Sequence, residues 1–141
     1  MNIERFIQAQ NRGNNYNSAL QEIRDGRKWS HWIWYVFPQM RGLGRSTMSE
    51  IYGIASLEEA KDYLEEPTLR ARLYEISHAL LAHSDKSAKS ILGDIDAMKV
   101  RSCMTLFNIV SPNDVFKEVL DTFYDGRCCK RTLKILGMTS M

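Results

Sequence analysis

Three prolines and eight glycines in 141 residues leave little of the chain for flexible linkers, and the composition excludes a collagen-like or disordered class. The three cysteines, Cys103, Cys128 and Cys129, are odd in number, and the last two are adjacent. That is neither a disulfide framework nor C-x-x-C ligand spacing, so they read as reduced thiols near a helix start. No charge of one sign dominates: 19 Lys and Arg against 17 Asp and Glu give a net charge of +2. This falls short of the concentrated basic surface of a dedicated nucleic-acid binder, so nucleic acid is disfavoured as a partner. No apolar run approaches the roughly 18 residues of a membrane span. The segment Met1-Asn2-Ile3-Glu4-Arg5 lacks the apolar core of a signal peptide, and a cytoplasmic protein is expected.

Several chemical signatures are also missing. His31, His78 and His83 do not form H-E-x-x-H or another metal spacing, and no G-x-S-x-G elbow announces a hydrolase nucleophile. The glycines near residue 44 belong to no Walker A loop and no dinucleotide fingerprint, so no cofactor and no metal are expected.

Helix signals run from end to end. Ile3, Phe6, Ile7 and Gln10 stripe a first helix, and Tyr16, Ala19, Leu20 and Ile23 a second that Gly26 closes, with Asn11 to Asn15 as the turn between. Ser56-Leu57-Glu58-Glu59 is a capping box opening a helix to about Glu66. Pro67 suits the first turn of the next, whose Leu69, Leu73, Ile76 and Leu80 lie three and four apart, to near His83. Asp94 or Asp96 is a candidate cap for a long helix to Val110, and Ser111-Pro112 for another that Gly126 closes. A last helix spans about Lys130 to Leu136. Ile33 to Phe37 suits a strand or a buried helix, and a helical turn is the reading favoured. With no repeat or linker, residues 1–141 are expected to form one all-α, compact, multi-helix domain.

The densest chemistry lies between Lys28 and Thr47, which holds all three tryptophans. The aromatic run His31-Trp32-Ile33-Trp34-Tyr35-Val36-Phe37 is either a core wedge or a ligand platform. Arg41-Gly42-Leu43-Gly44-Arg45-Ser46-Thr47 precedes a helix with Met48, Ile51 and Tyr52. It is either an anion cradle of converging amides or a plain turn. The helix from Ile95 to Val110 is apolar on two sides, which predicts burial and makes Lys99, Arg101, Ser102 and Thr105 conspicuous. Lys99 and Asp96, three apart, form either an acid–base pair or a surface ion pair. His31 is retained for its titration range, with Gln39 as a further polar group.

These residues carry a resemblance. Arg27 to Gln39, Gly42-Leu43-Gly44, Ser49 to Ile54, Ser56 to Ala60, Ile91-Leu92-Gly93, Asp96, Lys99, Ser102 to Phe107 and Phe123 to Leu136 resemble an uncharacterised bacterial family of unknown function often mislabelled calpastatin. The resemblance implies an all-helical domain and no established activity. A calpain inhibitor is a disordered chain that folds on its protease, whereas this composition builds a core. Cys103 departs from the family pattern, which commonly has another small residue there. Met104 to Phe107 with Val119-Leu120 also resembles NADAR-type helical N-glycosidases of ADP-ribose derivatives, with Leu106 where their pattern has lysine.

Two functions are therefore expected to compete. One is a small-molecule-binding domain, as a binder or an enzyme, taking an anionic nucleotide-like or ADP-ribose-like ligand. Its ligand-binding residues would be Trp32, Trp34, Phe37, Gln39, Arg41, Gly42, Gly44, Ser46 and Ser102. Were it catalytic, His31 or Asp96 would move protons and Lys99 or Arg41 would stabilise charge. The other is a protein-interaction module that docks a partner on the aromatic segment.

Overall fold

The long helix that the sequence marks as apolar on two sides is the axis of the fold. The computed structural model describes residues 2–138, and in it α8 (Asp94–Val110) packs against five other helices. These are α3 (Ile33–Val36), α5 (Leu57–Glu65), α7 (Ala88–Leu92), α9 (Val115–Tyr124) and α10 (Lys130–Ile135). Val100, Cys103, Met104, Leu106 and Phe107 of α8 are fully buried, and Phe107 meets Tyr63 and Phe116 at ring-centroid distances of 5.3 and 5.8 Å. A second layer forms around α6 (Pro67–Leu81), which touches α1 (Glu4–Asn11), α2 (Asn15–Arg24), α5 and α9. The regular structure of the described residues is all-helical; Met40 and Ile54 make an isolated parallel bridge across the chain that carries α4 (Thr47–Tyr52).

Side-chain caps open five of the described helices, α4, α5, α6, α7 and α9. The Ser56 hydroxyl accepts from Glu59 N at 3.1 Å, as its capping position predicts. The Glu59 carboxylate takes Ala55 N at 2.8 Å and a forked pair of bonds from the Arg5 guanidinium at 3.0 and 3.1 Å. Arg5 also reaches Ile51 O and Gly53 O, tying α1 to the turn before α5. Gly53 is required by proximity, since a Cβ there would stand 2.6 Å from Ser49 O and 2.8 Å from Arg41 Cα. Ile33 to Val36 is the expected helical turn.

Three expectations need correction. Ser111-Pro112 does not open α9: its cap is Asp114, which takes Val115 N at 2.7 Å. Ser111 Oγ and Tyr74 Oη both donate to that carboxylate, so a tertiary contact from α6 selects the later start. Neither Asp94 nor Asp96 caps α8, which begins after Gly93 at φ 83°; Asp96 is drawn instead to two lysines. Ile95 and Met98 are not buried but 71% and 67% exposed: they lie on the side of the first turns of α8 that its neighbours leave uncovered, while Ala97 and Val100 on the other side are buried.

Candidate functional site

The aromatic segment is held by one carboxylate that the sequence does not single out. Glu22, on α2 and 4% exposed, accepts from Trp29 N at 2.9 Å, Ser30 N at 3.0 Å and Trp32 Nε1 at 3.0 Å. The Ser30 hydroxyl donates to it as well. Burial alone would raise its pKa, but the Ser30 hydroxyl, the two amides and the indole together hold it below the usual glutamate range. Glu22 thereby fixes the chain that enters α3 and presents Lys28 to α8.

Lys28 Nζ lies 2.7 Å from Asp96 Oδ2, donates to Ser30 O at 2.5 Å and sits 4.8 Å from the Trp32 ring centroid. The other Asp96 oxygen is 3.5 Å from Lys99 Nζ, which stands 3.9 Å over the Trp34 ring. Two ammonium groups thus share one carboxylate, leaving positive charge unneutralised.

That excess faces a cleft of about 340 Å³ lined by Gln39, Leu43, Ile95, Met98, Lys99, Arg101, Ser102, Cys129 and Arg131. No carboxylate is among these residues. Arg101 donates to Arg127 O and Cys128 O, each at 2.8 Å, and Arg131 to Leu43 O at 3.0 Å. Neutral carbonyls orient both guanidiniums without cancelling their charge. The Ser102 hydroxyl stands 3.1 Å from Met98 O and 3.2 Å from Cys129 Sγ. The walls from Leu43, Ile95 and Met98 are apolar, so the cleft combines a cationic side with an apolar one. A larger groove of about 480 Å³ lies between α8 and α9, where the lining cation, Lys117, is paired to Asp121 at 2.7 Å.

Of the residues chosen from sequence, the fold brings Gln39, Lys99 and Ser102 to the cleft, with Asp96 and Trp34 directly behind Lys99. Trp32 and Phe37 are core side chains, 2% and 1% exposed. His31 is exposed, and its carbonyl accepts from Tyr35 Oη at 3.3 Å. Arg41 is exposed, with its amide on Ile54 O, and Ser46 caps α4 by accepting from Ser49 N. Gly42 packs toward Ile135, and Gly44 against Ser49 and Trp34. None of these seven lines the cleft.

Sequence reasoning missed Arg131 and Cys129 and left Arg101 without a place. All three meet across the α8 to α10 contact, and the available signal was the cationic run Arg127 to Lys134 around two cysteines. Among the described residues no group of His, Cys, Asp and Glu is arranged to hold a metal ion, and no helix is long and apolar enough to cross a membrane.

Fold and site together define a small all-helical domain with a cleft that is cationic on one side and apolar on the other. The chain belongs to the family described as protein of unknown function DUF1810, whose model matches residues 1–136. It is also similar to a conserved hypothetical protein of Mycobacterium tuberculosis known from its crystal structure. The two are 40% identical and superpose with a TM-score of 0.92 over 97% of each chain. No curated protein matches it.

Proposed function

We propose that this chain is a cytoplasmic small-molecule-binding domain whose cleft beside α8 takes an anionic, nucleotide-like ligand. The observation that carries the reading is the charge asymmetry of the cleft. Lys99, Arg101 and Arg131 line it without a lining carboxylate, while Leu43, Ile95 and Met98 supply an apolar wall. Paired cations with a nearby apolar surface suit a phosphate attached to a base or sugar, and the guanidiniums are already oriented by backbone carbonyls. Preorientation lowers the entropy cost of binding. If the ligand is also transformed, Lys99 would stabilise developing negative charge, a role supported by its 3.5 Å pairing with Asp96, which Lys28 also holds at 2.7 Å.

The test is a thermal-shift panel of nucleotides, ADP-ribose and phosphosugars. At a ligand concentration of about 100 Kd, selective binding stabilises the native state by about 2.7 kcal/mol, a readily measured rise in Tm. Lys99→Gln and Arg131→Gln should each reduce the shift. A flat response across the panel contradicts the reading.

A second reading, a protein-interaction module, is favoured by one specific observation: Trp29, Ile95 and Met98 are 75%, 71% and 67% exposed. It predicts no small-molecule shift and loss of partner capture on replacing these three side chains.

A further inference from the structure

Among the groups lining the cleft, the Cys129 thiol is the soft nucleophile, and anion binding alone gives it no role. It precedes α10 and lies with Lys99, Arg101 and Arg131 on the same cavity. The Ser102 hydroxyl has one proton and two acceptors, Met98 O and Cys129 Sγ, so it turns to the sulfur when the sulfur is ionised. The Thr132 hydroxyl, fully buried beside the same sulfur, has no hydrogen-bond partner of its own among the described residues. Burial pushes the thiol up, but Ser102, Thr132 and the amides of Thr132 and Arg131 outweigh it, leaving Cys129 below the usual cysteine range.

The other two thiols are placed differently. Cys103 is wholly buried and pushed well up by that burial. Cys128 lines the separate groove between α8 and α9, and burial raises it too. The fold therefore sets one thiol of three in a cationic cavity.

We infer that Cys129 is a mixed-disulfide site for small disulfides bearing anionic groups such as carboxylates. The inference rests on the cleft being an anion site. In the step, the Cys129 thiolate attacks one sulfur of the incoming disulfide. The new bond between Sγ and that sulfur forms as the old S–S bond breaks, and the departing thiolate takes a proton from water, matching the one Cys129 lost on ionising. The sulfur oxidised on the protein is balanced by the sulfur reduced in the leaving thiol, so no other oxidant is needed. Lys99, Arg101 and Arg131 select for anionic substituents, and the adduct then occupies the cleft and excludes other anions.

The experiment compares the full chain with oxidised glutathione, which is anionic, and cystamine, a cationic disulfide, followed by intact mass and peptide mapping. Because a cleft lined by one sign of charge raises counter-ion concentration by tenfold or more, oxidised glutathione should modify Cys129 at least about tenfold faster. Added salt, Lys99→Gln and Arg131→Gln should each shrink that preference. Cys129→Ser should abolish the adduct and Cys128→Ser should retain it. Equal or faster reaction with cystamine, or label on Cys128, overturns the inference, and the wild-type comparison decides this even where a variant folds poorly. A nucleotide thermal shift measured in parallel separates the two proposals. A shift without the disulfide preference defeats this inference alone, whereas loss of both defeats the anion site itself.

Discussion

Glu22 shows how much one side chain can organise. Four donors converge on this buried carboxylate, so each would lose that acceptor if the carboxylate were removed. Glu22→Ala should cost about 3 kcal/mol in urea unfolding and shift the emission of Trp32, the indole it holds. Trp29 is 75% exposed, and only its backbone meets Glu22, so Trp29→Ala should change stability by less than about 0.5 kcal/mol. Acid sensitivity has a definite sign. Glu22, Glu59 and Asp114 all have carboxyls held below their ordinary values, so the unfolded chain binds their protons first. Their stabilisation is complete above the ordinary carboxylate range and is lost as pH falls through the lower folded values. Urea midpoints should therefore decline as pH falls below about 4, and Glu22→Gln, already weakened at neutral pH, should decline less steeply. From sequence, Glu22 is simply one polar residue on a helix. Its partners lie seven to ten residues further on, in a turn whose shape no local pattern fixes.

Elements whose ends depend on their own residues were readable, and those settled by distant contacts were not. The Ser56 cap and Pro67 in the first turn of α6 follow from propensity alone. The start of α9 does not, because Tyr74 from α6 secures Asp114 as cap in place of Ser111. Asp114→Ala should cost about 2 kcal/mol, the upper part of the range for caps, while Ser56→Ala should cost about 1 kcal/mol; chemical denaturation of both variants checks the difference. The short α7, opened by Ser87, has too few turns for a periodic pattern to reveal it. On α8 the apolar period correctly predicts a central helix but not that Ile95 and Met98 emerge from the core. Periodicity reports which face is apolar, not how far the neighbouring helices extend along it.

At the scale of the molecule, the cleft is made by three stretches far apart in sequence. The strand-like turn at Gln39 and Leu43, the first half of α8, and the start of α10 each contribute a wall. Gln39, Lys99 and Ser102 were legible because each is a polar group set in an apolar context. Arg131 and Cys129 were not, since only the docking of α10 onto α8 gives them a common cavity with Lys99. The most direct measurement is an amide NMR titration of the isotope-labelled chain with ADP-ribose. The account predicts perturbations centred on Gln39, Leu43, Lys99, Ser102, Cys129 and Arg131, weakened in Lys99→Gln. Perturbations centred instead on the groove at Asn108, Lys117 and Cys128, or none at all, would contradict it.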